Sequence, residues 1–119
     1  MNFKEYQIAA AKFAKYSTKD YPFLALSEEV GEVSGKLAKY SRKNNCTLSV
    51  AISDANGGYG VSGIELRDNL KKELGDVLWQ LSACCIELGI TLDEVAQSNI
   101  DKLSGRDVRG TIVGEGDER

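Results

Sequence analysis

Apolar residues recur at intervals of three and four through most of this chain, and a single proline, Pro22, is the only residue that forbids a helix interior. That spacing is the helical period, and it predicts an all-α fold. The first run is Phe3 to Tyr16, with Phe3, Tyr6, Ala9, Ala10, Phe13 and Ala14 on one face and Asn2 placed to cap it. Pro22 suits the first turn of a second helix, where a missing N–H costs nothing, with Asp20 or Tyr21 at the cap. This helix runs to about Lys43 on a stripe of Leu26, Val30, Val33 and Leu37. It leaves Lys36, Lys39, Arg42 and Lys43 on the outer face or near the C-terminal end, where cations suit the dipole. A third helix extends from about Ile64 to Leu88 and is closed by Gly89. A fourth opens on the capping box Thr91-Leu-Asp-Glu94 and ends near Gly105.

The expected architecture is therefore a four-helix bundle. Asn44 to Gly63 breaks the period and holds Asn56-Gly57-Gly58-Tyr59-Gly60, so it reads as a glycine-rich flexible excursion between the second and third helices, with Thr47 to Ser53 as a short strand or hairpin arm. At 119 residues, 42% hydrophobic and 28% charged, the chain has the size and balance of one folded domain, assigned to residues 1–105. Residues 106–119, with Gly110, Gly114 and Gly116, form a C-terminal tail that is either disordered or a flap over a ligand.

Composition removes many functions. A net charge of −3 provides no basic field for a nucleic-acid duplex, so no nucleic-acid partner is expected. No apolar stretch approaches the ~20 residues that span a bilayer, and Met1-Asn-Phe-Lys-Glu5 lacks a signal-peptide layout, so no membrane role and a cytoplasmic location are expected. Cys46, Cys84 and Cys85 have neither zinc-site nor disulfide-framework spacing. With no histidine, serine triads, Cys-His pairs and histidine metal sites are excluded. Gly58-Tyr-Gly60-Val-Ser-Gly63 has the letters of a dinucleotide-binding turn but no βαβ pattern around it, and it reads as loop.

What remains is carboxylate chemistry. Glu29 and Glu32 lie three apart on the second helix, with Glu28 beside them, and Glu73 and Asp76 repeat the spacing on the third. Like charges at that spacing repel, by a few tenths of a kcal/mol per pair in an isolated helix. One such cluster is an ordinary solvated face. Two with matched spacing, each bordering an apolar stripe, argue for a shared cation. If the two helices pack antiparallel, Glu29, Glu32, Glu73 and Asp76 converge as an all-oxygen site suited to Mg²⁺ or Mn²⁺. Gly31, Gly35 and Gly75 each cost roughly 1 kcal/mol in a helix relative to Ala, and close helix approach is the expected reason for them.

Leu26-Ser-Glu-Glu-Val-Gly-Glu-Val-Ser-Gly-Lys-Leu37 followed by Lys72-Glu-Leu-Gly-Asp-Val-Leu-Trp79 resembles the MazG-like branch of the all-α nucleoside triphosphate pyrophosphohydrolases, whose pattern is EExxE, a spacer and ExxD. Asn99-Ile-Asp-Lys102 and Arg106 resemble that family's downstream Asn and basic positions, and Arg109 to Asp117 is similar to the ends of phage and bacterial members. The resemblance implies hydrolysis of a nucleoside or deoxynucleoside triphosphate to monophosphate and pyrophosphate. It implies Mg²⁺ on Glu29, Glu32, Glu73 and Asp76, with Glu28 or a ligand carboxylate such as Glu32 activating water. Lys102, Arg106 and Arg109 would face phosphates, Asn99 would bind sugar or phosphate, and Trp79 is a candidate for base stacking. Members assemble as dimers or tetramers, so a homodimer or homotetramer is implied here. A dUTP diphosphatase, a phosphoribosyl-ATP pyrophosphatase and a non-catalytic nucleotide-binding regulator share enough of the frame to stand as alternatives.

Overall fold

The helical period is realised in a computed structural model that describes residues 1–119 and contains no strand. Helix α1 spans Phe3–Ala11, α2 Tyr21–Asn44, α3 Leu48–Gly57, α4 Gly60–Glu87 and α5 Leu92–Val108. The fold class is as expected, but there are five helices where four were predicted.

The additional helix replaces the excursion. Thr47 caps α3 by accepting from the Val50 N–H at 3.2 Å, and Gly58 closes it in the left-handed region at φ +63°. The alternation of Leu48, Val50 and Ile52 with small residues imitates a strand, which is why the sequence suggests a hairpin arm. The buried residues are instead Ala51 and Ala55, one turn apart, and they form a core cluster with Leu66 of α4. Leu48, Val50 and Ile52 all remain exposed. Packing against α4 has overridden a period-2 pattern.

Helix boundaries follow local chemistry. Asn2 and Glu5 form a reciprocal capping box on α1, and Thr91 and Glu94 form one on α5. Pro22 sits in the first turn of α2, although Asp20 caps that helix by position alone. α1 stops at Ala11, short of the predicted Tyr16. Lys12, Phe13 and Ala14 make only tight three-residue turns, and the Tyr16 hydroxyl donates to Glu87 at 2.7 Å, drawing this segment toward the end of α4. α4 starts earlier than predicted, at Gly60, and α5 runs past Gly105 to Val108.

The frame is α2 packed antiparallel on α4, the most extensive helix pair. The direction is evident from the neighbours: Tyr16, just before α2, meets Glu87, whereas Leu37 and Tyr40 pack near Leu66 and Leu70. α3 fills the open end of the pair, where the Tyr40 hydroxyl donates to Asp54 Oδ2 at 2.9 Å. α1 covers α4 and α5, and the Gln7 amide donates to Ile90 O and accepts from Leu92 N–H, both at 3.1 Å, pinning the turn between them.

Two packing expectations change. A Cβ at Gly31, Gly35 or Gly75 would meet nothing within 4 Å, so these glycines do not mark close helix approach. The close approach is at Gly63, where a Cβ would lie 2.7 Å from the Asp54 carbonyl oxygen. The apolar stripes are also only partly covered, since Val30 and Leu74 are 49% and 55% exposed.

Candidate functional site

Antiparallel packing of α2 on α4 brings the two carboxylate motifs face to face. One carboxylate oxygen from each of Glu29, Glu73 and Asp76 lies within 4.8 Å of the others, the spacing a single cation needs to bridge them. Glu29 belongs to the first motif, and Glu73 with Asp76 to the second. Glu28 and Glu32 stand on the same stretch of α2 but are exposed and outside that close group. The donor set is wholly oxygen, which fits a hard divalent ion and excludes a thiolate or imidazole site.

The electrostatics of the cluster agree with its geometry. The Glu29 carboxyl is raised above its ordinary value, first by burial and then by the negative charges of Asp76, Glu28, Glu73 and Glu32. Burial, followed by Asp76, likewise raises the Tyr6 hydroxyl on α1. Within the chain the one cation paired with the cluster is Lys36, whose Nζ lies 3.4 Å from Glu73 Oε1.

Beside the carboxylates is a cavity of about 470 Å³ with Glu29 in its wall and Phe13, Tyr16, Tyr21 and Trp79 around it. The Tyr16 and Tyr21 rings stack with centroids 5.8 Å apart. Tyr16 is held as a neutral donor, its hydroxyl pushed up to about 12 mainly by the hydrogen bond to Glu87. Buried Gln80 adds an amide to the same wall. Trp79 also borders a second, apolar cavity with Tyr6, Phe13 and Asp76. Sequence reasoning reached Trp79 but missed Tyr6, Tyr16, Tyr21 and Gln80. The aromatic density from Phe13 to Phe23 was the available signal, and it was absorbed into helix faces.

The predicted phosphate-binding groups lie elsewhere. Asn99 and Lys102 line a groove with Leu78 and Leu81. At about 100° per residue, those leucines stand roughly 140–200° round α4 from Asp76, on its opposite side. Arg106 is buried, donates to Asp117 Oδ1 at 3.2 Å and leaves its Nε without a partner, while Lys102 Nζ is 3.9 Å from the same carboxylate. Arg109 donates to the Arg119 carbonyl oxygen at 2.6 Å. The tail is thus folded against the end of α5 by these cations.

A family model described as the MazG nucleotide pyrophosphohydrolase domain matches residues 18–110, which take in both carboxylate helices, α3 and α5. The chain is also similar to the Gene 37 protein of Mycobacterium phage L5, with 34% identity over 123 residues covering 96% of each chain. No solved structure matches.

Proposed function

The chain belongs to the MazG nucleotide pyrophosphohydrolase domain family, and from that premise we propose that it hydrolyses nucleoside or deoxynucleoside triphosphates to monophosphate and pyrophosphate with Mg²⁺, or Mn²⁺ in its place. The observation that carries this reading is the convergence of Glu29, Glu73 and Asp76 beside an aromatic-walled cavity. Three carboxylates this close suit a shared cation, and a base suits flat apolar walls; both features meet at Glu29.

In this reading Glu29, Glu73 and Asp76 hold the metal, and Glu32, one turn along α2, completes the set. When bound, Mg²⁺ neutralises phosphate charge and lowers the pKa of coordinated water. Glu28 or Glu32, both exposed to incoming solvent, takes the proton as water oxygen bonds to the α-phosphorus and the bond to the departing pyrophosphate breaks. Trp79, Tyr16 and Tyr21 stack on the base. Asn99 and Lys102 act on substrate as groups supplied by a second copy, since they lie behind α4 in their own chain, whereas Arg106 and Arg109, expected from the sequence to face phosphates, are taken up in holding the tail. A homodimer or homotetramer is part of this reading.

The test is pyrophosphate release from each common nucleoside triphosphate with Mg²⁺. Wild-type protein releases it, and Glu73→Gln and Asp76→Asn reduce the rate at least about 100-fold, as expected for loss of a charge-stabilising ligand. No turnover of any nucleotide by the wild type would sink the proposal.

A further inference from the structure

The face of α2 that carries the metal cluster does not end at the carboxylates. At about 100° per residue, Glu29, Glu32, Lys36, Lys39 and Lys43 all fall within an arc of about 80°, so one stripe changes from anionic to cationic along its length. Beyond the carboxylates this stripe faces a groove of about 240 Å³ between α2 and α4. Lys36, Lys39 and Lys43 line one side, with Ser62, Glu65 and Asn69 opposite. Lys36 is shared with Glu73, and Lys39 and Lys43 outnumber the one lining carboxylate, Glu65, so the groove carries a local excess of positive charge in a chain of net charge −3. The aromatic cavity lies at the other end of the cluster, with Glu29 in its wall, and Lys36 reaches Glu73 at 3.4 Å from the groove end. The order along the helix pair is aromatic, acidic, basic.

We propose that the groove lined by Lys36, Lys39 and Lys43 receives the β- and γ-phosphates of the substrate and holds the inorganic pyrophosphate they become after cleavage. This deepens the reading of the neighbouring site as a triphosphate-cleaving one, because it places base and leaving group on opposite sides of the carboxylates. Lys36 lies seven residues past Glu29, about 10 Å along the helix, close enough for its flexible side chain to reach a phosphate held at the cluster. Lys39 continues the track, and Lys43 draws anions into its open end. Lys36 has two uses. It neutralises Glu73 while the cluster lacks a cation, and it turns to the anion when a divalent ion takes over that charge. Ser62 and Asn69 provide neutral hydrogen-bond donors to phosphate oxygens.

The experiment is calorimetric titration of inorganic pyrophosphate into the full chain with Mg²⁺ present. The variants are Lys36→Gln/Lys39→Gln and Lys39→Gln/Lys43→Gln, and the second leaves the Lys36–Glu73 pair intact. Lys4→Gln/Lys12→Gln, at exposed positions on α1 and at its C-cap, is the charge-matched control. Both groove variants are expected to weaken pyrophosphate binding about tenfold or more, while a nucleoside monophosphate binds within about twofold of wild type and the control changes neither. Mg²⁺ titrated alone, and thermal melting, verify that cluster and fold survive. Unchanged pyrophosphate affinity in the groove variants, or an equal loss in the control, overturns the assignment. If no nucleotide is hydrolysed but pyrophosphate binding still depends on these lysines, the triphosphate reading fails and the anion groove stands.

Discussion

Glu29 is the residue at which stability and the proposed metal-binding role are most directly opposed. Its carboxyl is raised above 4.5, so the folded chain holds that proton more tightly than the unfolded chain. The stability this contributes is fully present below pH 4.5 and is lost as pH rises through the higher folded value. In metal-free buffer, wild-type protein should therefore lose melting temperature relative to Glu29→Gln as pH is raised from about 4.5 toward neutrality, and millimolar Mg²⁺ at pH 7 should restore it in wild type only. Parallel pH curves for the two proteins would rule this out. Glu94 has the opposite sign: its cap bonds from Thr91 lower its pKa, so its contribution is lost as pH falls below 4.5, and only the difference from Glu29→Gln isolates the cluster. At Tyr16, loss of the ring should matter more than loss of the hydroxyl. Tyr16→Ala is expected to raise the nucleotide KM about 2–10-fold with kcat largely kept, whereas Tyr16→Phe, which keeps the stack on Tyr21, costs about 0.5–1.5 kcal/mol of stability and little affinity. Steady-state kinetics and melting of both variants decide it.

At the scale of elements, the contact between α3 and α4 explains which glycines matter. At Gly63 an added methyl meets the backbone of Asp54 at 2.7 Å, and backbone cannot swing aside as a side chain can. Gly63→Ala should lose about 1–3 kcal/mol by overpacking, while Gly35→Ala, in open helix surface, should gain up to about 1 kcal/mol from helix propensity. Chemical denaturation measures both, and equal signs would contradict this account of the packing. Thr91→Ala removes the cap on α5 and should cost about 1 kcal/mol. The caps of α1 and α5 were legible in the sequence because they depend on residues three apart. α3 was not, because its buried face is only Ala51 and Ala55, two small residues whose burial depends on Leu66 arriving from another helix.

The whole molecule is wide for its length. Its radius of gyration is 17.3 Å, against about 13.5 Å for a compact chain of this size. Leu24 and Val61 are 74% and 75% exposed, and only 14 of 119 residues are buried, too few for the core that a domain of this length normally builds. Apolar surface left open on this scale is what the proposed dimer or tetramer would cover. Sedimentation should give at least twice the chain mass, with a melting temperature that rises with protein concentration. The split between carboxylates and α5 cations makes a sharper demand. Asp76→Asn and Lys102→Ala, each inactive alone, should regain about a quarter of wild-type activity when mixed one to one and allowed to exchange, because a mixed dimer has one intact site. Absence of recovery despite exchange would place Lys102 in its own chain's chemistry.

The sequence alone determined the helical class, the N-terminal caps of α1, α2 and α5 and the paired carboxylate motifs, because helical period and capping act over three or four residues. Tertiary structure decided the rest. It made Leu48–Gly57 a helix by burying two alanines, and it left Val30 and Leu74 open. It gathered Glu29, Glu73 and Asp76 while setting Asn99 and Lys102 behind α4. It also turned Lys36 and Lys39, which read as outer-face lysines in the sequence, toward a groove shared with α4. Each of these depends on which surface a distant segment covers, and burial of that kind is a property of neighbours in space that no local pattern encodes.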